Sequence, residues 1–266
     1  MDYTAITYEV IGNVCRVYHN RPKQANAQSA KLLAELDDAL DRAKNDKNIR
    51  VLIIGAHGKH FSSGHDLHDG MEVREGFAIE DHWMWEEEHY VGNALRIYDF
   101  PKPTIAQVQG ACIAGGFMVA NMCDLVVAAE DAYFNDPVVH SLAAPGVEVL
   151  LHPWVMGMRR AKKFLFTGQR IGAVQAEQWG MVNDVVPRAE LEQYTLELAN
   201  HIASAPPVAM RMMKKSLNRS ADNMGFRNSI MAHFDTHTLS HATREQQQLV
   251  DGGMEASMAK AKKIQG

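Results

Sequence analysis

Cysteine is scarce in this chain of 266 residues, with only Cys15, Cys112 and Cys123. Their odd number, and the lack of any CxxC or CxxH spacing, excludes a disulfide framework and the common zinc and redox motifs. A reducing, cytoplasmic setting is therefore expected. Positive charge is also in deficit: 27 Lys and Arg face 32 Asp and Glu, a formal net charge of -5. Phosphate binding needs a basic face, so nucleic acid is not expected as the partner. Long apolar runs are missing too. The most apolar stretch, 104–123, is broken by Gln107, Gln109, Gly110 and Gly115-Gly116, so it reads as a buried strand and helix rather than a membrane span. The opening MDYTAITYEV has an acid at position 2 and no apolar centre, and no signal peptide is expected there. No fixed-period repeat occurs.

The hydrophobic share of 46% is enough for a sizeable core, in one large α/β domain or two small ones. Thirteen histidines stand out, because histidine titrates near neutrality and binds metals. Along the chain, 5–11 and 14–19 flank the turn dipeptide Gly12-Asn13 and predict a hairpin. Leu32, Leu33, Leu36, Leu40 and Ala43 predict a helix over 28–46. The apolar run 51–55 suits a strand covered on both faces. A polar loop is expected over 57–70, then a helix over 79–98, a strand at 104–108, a helix ending at Met122 and a strand at 125–129. From 148 onward the pattern is mostly helical, over 159–167, 173–179, 189–205, 208–218 and a long segment near 222–248. These segments imply an α/β core over 1–205 and a helical region over 206–266, with no Gly/Ser or Pro-rich linker between them.

Two glycine-bearing segments carry the chemistry. One is FSSGHDL at 61–67, after a strand; the other is GACIAGGF at 110–117, between a strand and a helix. Neither is a GxxxxGKS/T phosphate loop or a GxGxxG dinucleotide fingerprint. Glycine permits positive φ and close backbone approach, and a Gly-Gly pair opening a helix leaves N–H groups aimed outward. Two such turns after neighbouring strands can place two N–H donors around one oxygen. Such an oxyanion hole is worth roughly 3–4 kcal/mol per well-aimed donor. Taken singly, each turn also reads as ordinary punctuation.

Together and in order, these segments resemble the crotonase (enoyl-CoA hydratase/isomerase) superfamily. The likeness runs through Asn20-Arg21-Pro22 with Asn26-Ala27, FSSGHDL, PKPTIAQVQGACIAGG at 101–116, MCDLVVAAEDAYF at 122–134, Pro145-Gly146 and the stretch from 166, covering 5–220. The resemblance implies a spiral of ββα units with a helical trimerisation region, assembled as a homotrimer or hexamer. It implies an acyl-CoA substrate, with CoA as part of the substrate and no separate cofactor or metal. The enolate would be held by the N–H groups of His65 and Gly115. The substrate would lie along Ala25, Ala27, Ser63, Asp66, Leu67 and His68, with Gly116, Met118 and Val138 at the acyl end. Where the family often has a lysine for a CoA phosphate this chain has His68; Lys260, Lys262 and Lys263 are alternative sources of that contact.

One departure matters most. The two glutamates that the resemblance implies for hydration fall at Met118 and Val138. Hydration needs a base for water and an acid for the α-carbon, and neither Met nor Val serves. Standard hydratase activity is therefore not expected. Glu148, just past Pro145-Gly146, is a candidate replacement, or else a carboxylate at a helix N-terminus. His140 and Asp136 flank the vacant position; a solvated histidine and an Asn-Asp-Pro turn are their plain alternatives. His152-Pro153-Trp154 suits a core-facing turn.

Residues 71–90 carry seven acids (Glu72, Glu75, Glu80, Asp81, Glu86, Glu87, Glu88) against Arg74, as on a solvated helix face. His82, Glu86, His89, Tyr90 and Asn93 fall on one side of that helix and suit a polar acyl group if they border the pocket. His233, His237 and His241 share a face of a later helix, which suits a structural role better than zinc. The leading expectation is an acyl-CoA lyase or isomerase with altered acid/base groups. Decarboxylation or C–C hydrolysis are variants of it, and a non-catalytic acyl-CoA-binding or assembly subunit is the competing class.

Overall fold

The computed structural model describes residues 2–252, so Lys260, Lys262 and Lys263 lie outside the described residues. Among the described residues nine strands form two sheets: β1 (Ile6–Ile11), β2 (Val14–His19), β3 (Val51–Ala56), β4 (Thr104–Val108), β5 (Ala111–Ile113), β6 (Leu125–Ala129), β7 (Tyr133–Asn135), β8 (Ile171–Gly172) and β9 (Asp184–Val186). The larger sheet runs β1-β2-β3-β4-β6-β9, antiparallel only at the hairpin. The smaller runs β5-β7-β8. The result is the expected α/β spiral of strand and helix units, followed by a helical region.

The helices are α1 (Ala30–Asn45), α2 (Leu67–Val73), α3 (Ile79–Glu86), α4 (Gly92–Tyr98), α5 (Gly115–Met122), α6 (Val138–Ser141), α7 (His152–Met156), α8 (Met158–Thr167), α9 (Ala173–Gln178), α10 (Leu191–Ala203), α11 (Pro207–Asn223), α12 (Phe226–Ser240) and α13 (Arg244–Asp251). Ser29 starts α1 by accepting the Leu32 N–H at 3.2 Å.

Period-two alternation divides the large sheet between two cores. Cys15, Val17, Leu52, Ile54, Ala106 and Val108 face α1, α4 and α5. Val14, Tyr18, Val51, Ile53 and Ile105 face α10. Burial on both sides is why these strands read as nearly continuous apolar runs.

Four sequence expectations need correction. The loop over 57–70 ends early, because Asp66 caps α2, accepting the Asp69 N–H at 3.4 Å. The helix over 79–98 is interrupted by a π-helical turn at Glu87–Val91, a feature frequent at functional sites. The long helix near 222–248 is two, since Gly225 adopts φ +103 before α12 and the chain turns again before α13. The acidic stretch is not wholly solvated: Glu86 is 1% exposed.

Candidate active site

Backbone pairing brings the two glycine segments together. Ser62 bridges to Cys112, with Ile113 N–H donating to Ser62 O at 3.0 Å. Gln28 bridges to His65, through Gln28 N–H to Gly64 O at 2.8 Å and Asp66 N–H to Gln28 O at 3.0 Å. Asn26 ties the base of this arrangement. It is fully buried and accepts from Arg21 N–H at 2.8 Å, and its amide donates to the carbonyls of His57 (2.9 Å) and His60 (2.7 Å).

Glycine is required where the loops meet. A Cβ on Gly64, at φ +98, would lie 3.1 Å from Ile113 O and 3.5 Å from Gly115 N. A Cβ on Gly115 would lie 2.5 Å from Gln28 Oε1 and 2.8 Å from His65 Cε1. Ala114 turns the chain into α5 with φ 47 and ψ -112, a conformation that a side-chain-bearing residue rarely adopts. The His65 and Gly115 N–H groups have no hydrogen-bond acceptor among the described residues. Gln28, which sequence reading passed over, donates to Gly115 O at 3.3 Å and helps hold this turn.

The His65 side chain lies beside these donors. Its Nε2 is 3.2 Å from Glu148 Oε2, and its ring stacks on Tyr90 with centroids 3.7 Å apart. Glu148 is 5% exposed and lies in irregular chain before α7, not at a helix N-terminus. Burial alone would push its carboxyl up, but the neighbouring His65 and His237 outweigh it and hold the carboxyl below its usual range. Glu86 behaves alike: burial opposes ionisation, and contacts with His237 and His241 overcome it. Arg74 also pairs with Glu86.

The other expected residues disperse. His140 Nε2 lies 2.9 Å from Phe166 O and its ring covers Gly168, so the structure does not bring it to Glu148. Asp136 is fully buried with its Oδ2 3.1 Å from His152 Nε2, and His152 stacks on Phe117 at 4.5 Å. The two side chains meet inside the core without forming an aligned hydrogen bond. Asp66 accepts from Arg21 at 2.8 Å and caps α2, so its carboxylate is occupied structurally. Ser63 and His68 are exposed at the loop rim, Ala25, Ala27 and Leu67 are half-buried beside it, and Gly116, Met118 and Val138 are buried. A Cβ on Gly116 would lie 2.7 Å from Ser62 Cβ, so its role includes packing.

The enoyl-CoA hydratase/isomerase family profile matches residues 9–262 of this chain. The chain belongs to the enoyl-CoA hydratase/isomerase family. Members similar to it include EchA13 of Mycobacterium tuberculosis, provisionally named an enoyl-CoA hydratase, at 38% identity over 91% of this chain and 82% of that one. A Mycobacterium smegmatis structure with the same provisional name is 43% identical, with a TM-score of 0.86 over 90% of this chain and 96% of that one. An enoyl-CoA hydratase/isomerase structure from Xanthobacter autotrophicus Py2 is 30% identical, with a TM-score of 0.90 over 98% of each chain. Enoyl-CoA hydratase/isomerase-type chemistry on an acyl-CoA substrate comes with that membership. Among the described residues no helix is long and apolar enough to cross a membrane.

Sequence reading missed the meeting of Glu86 and His237 with Glu148. His233, His237 and His241 do share a face; their hydrogen bonds go to Val147 O at 2.8 Å, Gly146 O at 2.9 Å and Glu86 Oε2 at 3.1 Å, and His237 Nε2 also faces Glu86 Oε2 at 3.5 Å. The available signals were the stripe of the 79–98 segment that carries Glu86 and Tyr90 and the helix face that carries His237.

Proposed function

We propose that the chain forms the enolate, or a related oxyanion, of an acyl-CoA thioester. The His65 and Gly115 N–H groups are the donors and Glu148 is the base. The carrying observation is the position of Glu148, buried yet held 3.2 Å from the imidazole of the residue that supplies one of those donors. Two N–H groups on the thioester oxygen stabilise the charge that develops when a Cα proton leaves. Glu148, kept ionised by its imidazole neighbours, accepts that proton. Returning the proton to another carbon of the enolate completes an isomerisation with a single base.

Met118 and Val138 stand where the family resemblance implies the two glutamates of hydration, and neither can move a proton. A proton-shifting reaction is thus favoured over standard hydration. The CoA portion is read along Ser63 to His68, with the acyl end toward Met118 and Val138. Beyond residue 206, the exposed Val208, Met212, Met213 and Leu217 of α11 support burial of this helical region in a trimer or hexamer.

The test is a panel of enoyl-, malonyl-, β-keto- and aromatic acyl-CoAs followed by mass spectrometry, with deuterium wash-in at Cα. Exchange at Cα, abolished in Glu148→Gln, is expected. Release of CO2 from the malonyl-type thioester would favour decarboxylation, and binding without turnover or exchange of any thioester would favour a binding subunit.

A further inference from the structure

His237, on α12, is 4% exposed and lies 2.9 Å through Nδ1 from Gly146 O. A carbonyl only accepts, so Nδ1 carries a proton. Nε2 then faces Glu86 Oε2 at 3.5 Å and Glu148 Oε1 at 3.7 Å, and one polar atom from each of the three side chains lies within 4.8 Å of the others. Neither contact is aligned as a hydrogen bond, and Nε2 has no other polar partner among the described residues. A neutral ring would set its lone pair against two buried carboxylates. A proton on Nε2 removes that conflict.

The surrounding charges lead to the same state. Arg74 offsets one carboxylate, Glu86. His241 lies between the Gln246 amide, 2.9 Å from its Nδ1, and Glu86 Oε2, 3.1 Å from its Nε2, so it serves Glu86 and not Glu148. His233 is held by Val147 O and burial pushes it down, as it does His82, which stacks on His241. Tyr90 stays protonated, because burial raises its hydroxyl. His65 Nε2 meets the other oxygen of Glu148, and His237 is the ring that faces both carboxylates at once.

We propose that His237 is a positioning residue of the reaction: an imidazolium bridging Glu86 and Glu148, which keeps Glu148 ionised and leaves its other oxygen to His65 at the thioester pocket. The catalytic half of this inference rests on the reading of Glu148 as the base. Burial works against the charged ring, but Glu86 and Glu148 prevail and draw its titration upward.

Ring 15N NMR of the substrate-free protein at pH 7 should show both nitrogens of His237 protonated. In His237→Gln, the 13C-carboxyl titration of Glu148 should move up by about one pH unit, as expected when a close cation is lost. The acid limb of kcat/KM should move with it, kcat should fall more than KM changes, and His237→Lys should restore the limb. An unprotonated Nε2, or an unmoved Glu148 titration in a His237→Gln protein with wild-type near-UV circular dichroism, would overturn the proposal. So would a stoichiometric divalent metal in the isolated protein that is lost in His237→Gln. The NMR measurements need no turnover. If no thioester reacts, the functional reading fails while the His237–Glu148 linkage is still decided by the titration.

Discussion

His65 and Glu148 meet at 3.2 Å beside the glycine turns, joining a residue whose backbone is a candidate oxyanion donor to the carboxylate proposed as the base. The two substitutions at this pair therefore have unequal consequences. Glu148→Gln removes the proton acceptor and should lower kcat/KM by about 10²–10⁴-fold. His65→Ala keeps the N–H and should cost less. Steady-state kinetics on the thioester found in the panel measures both, and equal losses would refute the division of roles.

Gly115→Ala tests the other donor. Its Cβ would enter the space of Gln28 Oε1 and His65 at 2.5 and 2.8 Å, forcing the turn or the His65 ring to move. Because oxyanion stabilisation depends on donor aim, a loss of roughly 10²–10³ in kcat is expected. Circular dichroism should remain that of the parent. Unchanged kcat would show that the Gly115 N–H does not serve.

Asp136 and His152 are a fully buried pair. Asp136→Ala leaves a buried imidazole without its polar neighbour and should cost about 1–3 kcal/mol of stability. Urea denaturation checks this, and Asp136→Asn should cost less. A larger proportional loss in kcat/KM than in stability would move Asp136 from the core to the chemistry.

His19 makes folding sensitive to acid. It is fully buried, and burial lowers its titration from 6.5 to about 4. Between those values the unfolded chain binds a proton that the folded chain does not, so stability falls as pH drops. The loss between pH 6.5 and 4 amounts to about 3 kcal/mol. His19→Phe should flatten that part of the stability–pH curve, measured by denaturant midpoints across buffers. A curve parallel to that of the wild type would refute the assignment.

His237 has the opposite sign. Its titration is raised on folding, so the stability it contributes is complete below its unfolded value and lost as pH rises through the folded one. The difference in melting temperature between wild type and His237→Gln should therefore be greatest in mild acid and shrink toward alkaline pH. A difference independent of pH would leave only a packing role.

Much of the fold was legible in the residues. The hairpin, α1 and β3 follow from Gly12-Asn13, from Leu32, Leu36 and Leu40 at helical spacing, and from the apolar run 51–55. The smaller sheet was not, because β5, β7 and β8 have only three, three and two residues, too few for an alternation to register. The π-helical turn at Glu87–Val91 likewise leaves no mark in a period.

By itself the sequence determined the family and the two turns around Gly64 and Gly115, because positive φ and close backbone approach depend on a missing Cβ at named positions. It also determined that Met118 and Val138 carry no proton. Only the tertiary structure decided which titratable groups lie together next to those turns. Glu86, Glu148 and His237 come from α3, an irregular segment and α12, and they meet through packing between distant elements. Helical periodicity shows which face of α3 or α12 is set apart. It cannot show that an acid on one face would be buried against an imidazole on the other, which turns apparent surface charge into a carboxylate–imidazole cluster beside the glycine turns.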